Sequence, residues 1–491
     1  MNLTRKVAHN TFIQIVGKII STFLGLLAIA LITRYLGRDG FGEYTTVITF
    51  LTFFAVAADF GLTLVTVQMI SGHDAEENKI LNNLFGLRLV SALLFLLLAP
   101  LTISFFPYGA TIKFGVIITF ISFLFPALNQ IIIGLFQKRL SMSRAAIAEM
   151  LSRLILLLGI ILTKKLNLGL NGILLSTAAS AAGSFVFHYI FSLKFTVIKL
   201  EFNWFIWKKI IHKSWPLAIT IVLNLIYLRA DTLLLSIFNS QSEVGLYGAT
   251  YRIIDVLTSI PFMFAGLILP ILTAAWLENN PKYFHKVLQK SFDFMTILAI
   301  PLIIGAQFLS QPIMSFVAGQ DFYASGAILQ ILIFAVAAIF LGTMFSHAVV
   351  ALDKQKTMIS FYVFTGFSSL LAYLYFIPRF SYFGAAGVTI YSETLIAVFS
   401  GYCVWKYSNF LPNLKTMIKS IISGLIMGVF LYFFAGSDQT TLGGLISTFV
   451  LASLIYFVIL FLIGGIKSAD IAAIIKRQNK NIGPTYGGSN L

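Results

Sequence analysis

Long apolar segments alternate with short polar connections along the whole chain. Apolar runs of roughly 20 residues have the length that an α-helix needs to cross a bilayer. The pattern therefore predicts an all-α polytopic membrane protein with about fourteen transmembrane helices. The predicted crossings lie at 11–36, 44–70, 84–106, 113–135, 144–163, 171–193, 214–238, 246–275, 291–310, 325–350, 358–377, 384–406, 418–435 and 442–464.

An internal repeat relates the two halves of the chain. Residues 41–44 (FGEY) match 244–247 (VGLY), and residues 6–12 (KVAHNTF) match 209–215 (KIIHKSW), both at an offset of 203 residues. Two copies with the same even number of crossings insert in the same orientation. We therefore predict two six-helix lobes related by a pseudo-twofold axis along the membrane normal, followed by two extra C-terminal helices.

This repeat divides the chain into five parts. The linker between the copies places Trp204 and Trp207 beside Lys208 and Lys209. It is predicted either as an amphipathic helix on the cytoplasmic surface or as an extension of the seventh crossing. The predicted parts are an N-terminal lobe (1–198), the linker (199–213), a C-terminal lobe (214–410), helices 13 and 14 (411–466) and a cytoplasmic tail (467–491).

Composition and charge support a membrane location. Hydrophobic residues make up 58% of the chain and charged residues 11%, whereas soluble domains carry about 25% charged residues. The formal net charge of +16 comes from lysines and arginines that gather in alternate connections. Because cytoplasmic loops collect these residues, we predict a multi-pass protein of the cell (inner, cytoplasmic) membrane with both termini cytoplasmic, and no nucleic-acid partner. The single cysteine, Cys403, excludes an internal disulfide, and no metal cluster is predicted.

Several predicted helices carry cations within the membrane, where a charge is costly. Arginine and lysine in a midplane cavity suit an anionic ligand, and a phosphate or diphosphate fits best. Lys18 is the strongest candidate because its own polar face holds no acidic residue. The candidate substrate-binding residues are Lys18, Arg88, Arg229, Arg252, Gln14 and Asn224.

Ion pairing is the alternative reading of these cations. Glu149 and Arg153 are four residues apart on one helix and are expected to pair with each other. Arg229 and Arg252 each have Asp231 and Asp255 within reach as partners. Both readings stay open from the sequence alone.

Three carboxylates are candidates for ion coupling: Glu393, Asp231 and Asp59. Glu393 lies in the middle of the twelfth predicted crossing and has no basic neighbour at helical spacing. A buried carboxylate without a cationic partner favours its protonated form. We therefore expect a proton or sodium site here, with a carboxyl group hydrogen-bonded between helices as the alternative. No other cofactor is expected.

Three stretches of the chain resemble signatures of the polysaccharide (O-antigen, Wzx-like) flippases. They are ALITRYLGRDGFGEYTTVITF, ADTLLLSIFNSQSEVGLYGATYRIID and IPRFSYFGAAGVTIYSE, and the resemblance extends over nearly the whole chain. This family belongs to the multidrug/oligosaccharidyl-lipid/polysaccharide (MOP, MATE-like) superfamily, together with multidrug exporters and lipid II flippases. The resemblance implies two six-helix lobes around a central cavity. It also implies transport of a polyprenyl-diphosphate-linked oligosaccharide from the cytoplasmic to the outer leaflet by alternating access, for surface polysaccharide biosynthesis.

The resemblance also suggests roles for single residues. Lipid II flippases place cavity arginines on the first, second and eighth helices, and Lys18 and Arg252 occupy comparable positions. The second helix carries Asp59 instead, which departs from that pattern. Asp231 and Thr394 correspond to residues of a sodium site, although Asp231 also belongs to the general family signature, so that a structural role competes.

The implied function is consistent with the physical chemistry of the substrate. A sugar chain cannot cross hydrocarbon unaided, since each unpaired hydroxyl costs several kcal/mol there. The chain has no GxxxxGK[ST] phosphate-binding loop, so ATP hydrolysis is not expected to supply the energy. The expected partners are the lipid-linked oligosaccharide, membrane lipids and other polysaccharide-assembly proteins.

Three alternatives belong to other functional classes or branches. A MATE-like multidrug/cation antiporter would share the fold but needs an acidic cavity, and a lipid II-type flippase differs in its glycan. A membrane-embedded polysaccharide polymerase or ligase would need a large outer loop with catalytic residues, and the outer loops are short. We therefore predict a transporter and not an enzyme.

Overall fold

The computed structural model describes residues 3–70, 77–434 and 441–466, and these residues are almost entirely helical. Short 3-10 helices lie at Ile103–Phe105, Phe120–Phe123 and Gln320–Phe322. The α-helices are α1 (Leu3–Asp59), α2 (Leu62–Ile70), α3 (Glu77–Thr102), α4 (Ala110–Thr119), α5 (Leu124–Lys138), α6 (Met142–Leu166), α7 (Gly169–Ser192), α8 (Trp204–Phe238), α9 (Gln241–Leu277), α10 (Pro281–Ala318), α11 (Ser325–Ala351), α12 (Gln355–Ser408), α13 (Lys415–Phe434) and α14 (Leu442–Leu462).

The long helix α12 is two antiparallel helices joined at Ser381, whose backbone is non-helical (φ 49°, ψ −134°). The rings of Phe361 and Phe399 stack at 4.4 Å, and the Tyr391 hydroxyl lies 3.2 Å from the hydroxyl of Ser368. These partners lie on either side of Ser381 at similar sequence distances, which is the geometry of a hairpin. This segment therefore crosses the membrane twice.

The first helix, α1, breaks in the same way at Gly37 (φ 66°, ψ −172°), a conformation that glycine adopts at little cost. Before the break, α1 runs parallel to α6. Lys18 lies beside Glu149, and the Tyr35 hydroxyl donates to the carbonyl of Thr163 over 3.5 Å. After the break, the chain continues alongside α4 and α5 and then into α2. This segment also crosses twice.

The structure confirms the predicted number of crossings. Among the described residues, 11 helices are long and apolar enough to cross a membrane. Two of these, α1 and α12, contain a break and cross twice. We count the 35-residue helix α8, which contains the apolar run 214–238, as one more crossing, and this brings the total to fourteen.

Connections alternate between two ends of the molecule. We call one the Gly37 end and the other the linker end. The Gly37 end holds the breaks at Gly37 and Ser381 and the connections 106–109, 167–168, 239–240 and 319–324; the linker end holds 139–141, 193–203, 278–280, 352–354 and 409–414.

The two copies of the repeat pack against each other through their glycines. A Cβ atom on Gly42 would collide with the carbonyl oxygen of Gln241, and one on Gly245 would collide with the carbonyl oxygen of Arg38. Both pairs are related by the offset of 203 residues, so the contacts are reciprocal. A reciprocal contact is what a local twofold axis produces. The fold predicted from the repeat is therefore confirmed.

The buried core shows that the lobes meet at one end only. At the Gly37 end, Phe41 and Tyr247 belong to one core that draws on both lobes. At the linker end, the described residues form two separate cores. One contains Phe136 and residues of the N-terminal lobe, and the other contains Phe284 and residues of the C-terminal lobe. The lobes are therefore joined at the Gly37 end and diverge toward the linker end.

The linker leads directly into α8. Helix Trp204–Phe238 is continuous, which agrees with an extension of the seventh crossing and not with a separate surface helix. Its first turns pack on the N-terminal lobe, where Ile210 is fully buried. Glu201 accepts hydrogen bonds from Asn82 (2.9 Å) and Asn83 (3.1 Å), which fixes the linker to α3. The domain boundaries themselves stay predictions, and the tail 467–491 lies outside the described residues.

Candidate functional site

A cavity of about 700 Å³ opens between α1, α5, α6 and α7, with Met263 of α9 at its rim. We call it the N-lobe cavity. Gln14 and Lys18 line it from α1, and both side chains are exposed to it. Two of the predicted substrate-binding residues therefore lie side by side in a space that borders the second lobe.

The charges in the N-lobe cavity form a triad with an excess of one cation. The Lys18 ammonium lies 3.6 Å from Oε1 of Glu149, and the Arg153 guanidinium lies 3.9 Å from the same oxygen. The expected Glu149–Arg153 pair is present, but Glu149 also gives Lys18 an acidic neighbour from α6. All three side chains are between 37% and 45% exposed, so these pairs are loose enough to exchange for a ligand.

A second space lies on the pseudo-twofold axis. This axial cavity of about 100 Å³ is small, and Arg252 lines it from α9 while Thr45 and Thr49 line it from α1. Arg252 has no ion-pair partner among the described residues. The axial cavity therefore brings Arg252, together with Arg229 of α8, to the interface of the two lobes.

A third cavity of about 420 Å³ lies inside the C-terminal lobe, between α8, α9, α11 and α12. Arg229 lines both this C-lobe cavity and the axial cavity. Its guanidinium lies 2.8 Å from Oδ1 of Asp255 and 5.3 Å from the ring centroid of Tyr251. Arg229 and Tyr251 line both spaces and so form the wall between them, while Asp255 lines the C-lobe cavity as the ion-pair partner of Arg229.

Asp231 lies at the centre of a buried hydrogen-bond cluster. Its side chain is fully buried and accepts hydrogen bonds from the hydroxyls of Tyr247 (2.8 Å) and Tyr251, and from the backbone N–H of Thr232 (2.6 Å). The Thr389 hydroxyl lies 3.4 Å away on α12. Hydrogen bonds from neutral donors can stabilise a buried carboxylate in place of a cation.

Glu393 differs from Asp231 in having an unsatisfied oxygen. Its side chain is only 7% exposed, it borders the C-lobe cavity, and its Oε1 has no hydrogen-bond partner among the described residues. A buried polar atom without a partner is rare and marks a position where a proton or an ion can be held. His347 and Tyr362 line the same cavity.

Arg88 and Asp59 lie apart from all three cavities. Both are buried, and their side chains approach within 2.6 Å. Arg88 also donates to the carbonyls of Ala127 (3.0 Å) and Ala58 (3.3 Å), while Asp59 accepts from Thr63. The pair ties α1, α3 and α5 together within the N-terminal lobe. Substrate binding by Arg88 and ion coupling by Asp59 would both require this pair to open.

Two further predictions have different outcomes. The side chain of Asn224 lies outside the described residues. Thr394 is exposed, and Thr389, five positions earlier, is the threonine that faces Asp231. Sequence reasoning also missed Tyr247 and Tyr251, although their spacing of four residues places both hydroxyls on one face of α9.

Chemically, these cavities can hold an anion and at least one proton or small cation. No cluster of His, Cys, Asp or Glu that fits a metal ion occurs in the described ranges. The cationic side chains face the space between the lobes, and the unsatisfied carboxylate lies in the C-terminal lobe.

Comparison with known proteins identifies relatives for both sequence and fold. The family model described as "Polysaccharide biosynthesis protein" matches residues 7–276, and the MatE model matches residues 216–375. The chain is 23% identical over 206 residues to the "Probable flippase AglR" of Haloferax volcanii, which covers 41% of this chain and 43% of that protein. It is 22% identical over 286 residues to the "Capsular polysaccharide biosynthesis protein CapF" of Staphylococcus aureus, which covers 58% of this chain and 72% of that protein. The matched region thus spans less than half of AglR.

Solved structures share the fold over almost the full length. The lipid II flippase MurJ in an inward closed conformation superposes with a TM-score of 0.77 at 17% identity, covering 95% of this chain and 99% of that one. An inward-facing multidrug resistance MATE family transporter of the MOP superfamily has a TM-score of 0.64 at 13% identity, with 84% and 96% covered. At these identities the likeness shows the fold alone.

Proposed function

Because the chain belongs to the family of polysaccharide biosynthesis proteins, we propose that it is a flippase for a polyprenyl-diphosphate-linked oligosaccharide. It moves this lipid from the cytoplasmic to the outer leaflet, for surface polysaccharide biosynthesis, without chemical change to the substrate. The names of AglR and CapF support this proposal, as does the fold shared with a lipid II flippase. Partner proteins of the same assembly process are proposed with it.

The observation that carries the proposal is the cationic N-lobe cavity beside the gap between the lobes. A diphosphate brings two or more negative charges, and Lys18 with Arg153 outnumbers the single carboxylate of Glu149. Lysine and arginine bind phosphate oxygens by charge-assisted hydrogen bonds. A ligand diphosphate would replace Glu149 as their partner, while the polyprenyl tail stays in the bilayer.

The linker end is proposed to be cytoplasmic. It carries lysines such as Lys199, Lys208, Lys282 and Lys354, whereas the connections at the Gly37 end carry few basic residues. In this orientation the lobes diverge toward the cytoplasm. This conformation then corresponds to a state that receives its substrate from the inner leaflet of the cell membrane.

Release to the outer leaflet requires the Gly37 end to open. Within the described part of the chain, two hydrogen bonds between side chains cross between the lobes there, one from Thr46 to Oε1 of Gln241 (2.7 Å) and one between Tyr108 and Ser236 (2.7 Å). Arg34 also donates to backbone carbonyls of α10. Rocking of the lobes would break these few bonds and separate the apolar core that the lobes share.

Ion coupling is proposed for Glu393, with Asp231 as a fixed part of the same lobe. A proton or sodium ion entering the C-lobe cavity would meet the unsatisfied Oε1 of Glu393. The Arg229–Asp255 ion pair lies between that ion and the axial cavity. Binding of the ion would therefore alter the charge that borders the axial cavity.

The test is transport by the full-length protein reconstituted in liposomes with a fluorescent polyprenyl-diphosphate oligosaccharide in one leaflet. The wild type should move the label across, and Lys18→Ala with Arg252→Ala should abolish this. Lys165→Ala, which removes an exposed lysine at the Gly37 end, is the matched control and should transport normally. Undiminished flipping by the double variant would remove the phosphate-binding role of both cations.

A MATE-like exporter is the second candidate, because the MatE model matches residues 216–375. Cationic drugs require a negatively charged cavity, whereas Lys18, Arg153 and Arg252 make the interlobe surface positive. Dye efflux by cells that express the protein would favour this alternative. Retention of lipid-linked oligosaccharide in the inner leaflet after gene deletion would favour the flippase.

A further inference from the structure

A basic pocket of about 610 Å³ lies at the linker end, where α10 meets α13 and the residues after α14. It is separate from the three cavities described above and shares no lining residue with them. Its lining contains lysines from α10 and α13 and a single acidic residue, Asp293. The four lysines are Lys286, Lys290, Lys415 and Lys419.

Hydrogen bonds between neighbouring segments hold the pocket open. Gln289 donates to the carbonyl of Asn413 over 3.0 Å and accepts from its backbone N–H over 2.8 Å. Lys419 donates to the carbonyl of Gly464 over 2.9 Å, which joins α13 to the end of α14. The Asp293 carboxylate accepts from Gln289 over 2.9 Å. Contacts between protein segments therefore form the frame of the pocket.

The charge of the pocket is strongly positive. Four lysines face one carboxylate, and Lys286 and Lys415 have no ion-pair partner among the described residues. The pocket also contains the N-terminus of the 20-residue helix α13, where the helix dipole adds positive potential. Cations and a helix N-terminus around one concave space suit a phosphate group.

The surroundings of the pocket are apolar and face outward. Leu411, Leu414 and Ile418 flank it and are 71%, 44% and 53% exposed. On a membrane protein, exposed leucine and isoleucine beside clustered lysines mark the level at which acyl chains meet headgroups. A ligand with a phosphate in the pocket and hydrocarbon against these side chains satisfies both surfaces.

We propose that this pocket binds the phosphate headgroup of an anionic phospholipid from the surrounding leaflet. Basic pockets between transmembrane helices at this level are suited to such headgroups. The lipid would bridge α10 of the C-terminal lobe and the two appended helices. The site is independent of the proposed transport, since it requires only that the protein be embedded in a membrane containing anionic lipid.

The experiment is native mass spectrometry of the full-length protein in detergent, titrated with phosphatidylglycerol or with phosphatidylcholine. We expect retention of phosphatidylglycerol and little of phosphatidylcholine. The variant Lys286→Gln with Lys415→Gln should weaken phosphatidylglycerol binding about 30-fold, which corresponds to ~2 kcal/mol for two lysines. The control variant Lys208→Gln with Lys209→Gln removes two exposed lysines from the same end and should bind as the wild type does.

Four results would overturn the proposal. Equal losses of phosphatidylglycerol binding in the two double variants would show that the lipid is attracted to basic residues in general. Equal retention of both phospholipids would show that the pocket does not distinguish between anionic and zwitterionic headgroups. Displacement of bound lipid by millimolar inorganic phosphate would assign the pocket to free phosphate. Preference for a polyprenyl diphosphate over phosphatidylglycerol, lost in the Lys286 and Lys415 variant, would assign it to the carrier lipid.

Discussion

Arg229 and Asp255 form an ion pair of 2.8 Å that separates the axial cavity from the C-lobe cavity. Each side chain is about one-third exposed, Arg229 by 35% and Asp255 by 38%, so the pair borders open space and does not lie in a packed core. A pair in this position can exchange partners when a ligand or an ion arrives.

The first prediction concerns this pair. Arg229→Ala and Asp255→Ala should each lower the thermal stability of the purified protein, and the double variant should lose less than the sum of the two. The expected coupling is about 0.5–3 kcal/mol, the usual range for contacting residues. Strict additivity in thermal unfolding would show that the two side chains do not interact.

The second prediction separates structural charges from cavity charges. Arg88→Ala leaves Asp59 buried without its partner and should destabilise the protein by about 3–5 kcal/mol. Arg88→Met with Asp59→Leu should restore much of the stability, and the transport per folded molecule should be normal. Loss of transport by this stable double variant, measured in liposomes, would instead give the pair a functional role.

The third prediction concerns coupling through Glu393. Glu393→Gln keeps the shape of the side chain but removes the group that gains and loses a proton. We expect wild-type transport in liposomes to depend on an imposed proton or sodium gradient, and transport by the variant should continue without that dependence. Glu278→Gln, an exposed glutamate at the linker end, is the control and should keep that dependence. An unchanged response in the Glu393 variant would contradict coupling at this site.

The fourth prediction concerns the contacts across the Gly37 end. Tyr108→Cys with Ser236→Cys, in a Cys403→Ser background, should be joined by a short bis-maleimide, since the native hydroxyls lie 2.7 Å apart. The cross-link should hold the lobes together and stop flipping, whereas each single variant should continue to transport after the same treatment. Normal flipping by the cross-linked protein would argue against lobe separation as the transport step.

The fifth prediction concerns the glycines of the repeat. Gly42→Val places a side chain against the Gln241 carbonyl and should force the lobes apart at the Gly37 end. Spin labels on the two lobes should report a longer distance across this end. Gly266→Ala, where an added Cβ meets nothing within 4 Å, should leave the distance unchanged. Equal distances in all three proteins would contradict the close packing.

The number of crossings and the twofold relation could be predicted because both depend on local pattern. The length of each apolar run sets a crossing, and a constant offset of 203 residues relates the two lobes. These features do not require knowledge of which helices touch.

Partners between helices could not be predicted in this way. Lys18 has no acidic residue on its own face, but α6 brings Glu149 to within 3.6 Å. Asp231 is held by tyrosines of α9 and faces Thr389 of α12, and neither helix is fixed by sequence spacing. Side-chain partners from distant segments depend on packing, which periodicity does not specify.

The reciprocal packing of Gly42 and Gly245 has a consequence for how the two halves can vary. The nearest atoms that an added Cβ on either glycine would meet are main-chain atoms of the other lobe, so the two helices approach each other closely here. A larger residue in place of either glycine would push the same two helices apart. The same steric limit therefore applies to both copies of the motif. Elsewhere the halves are free to differ, as where the buried Asp231 of the second copy aligns with Ala28 of the first. The two lobes therefore share a symmetric glycine contact but differ in their charged residues. This difference allows the two lobes to have different roles.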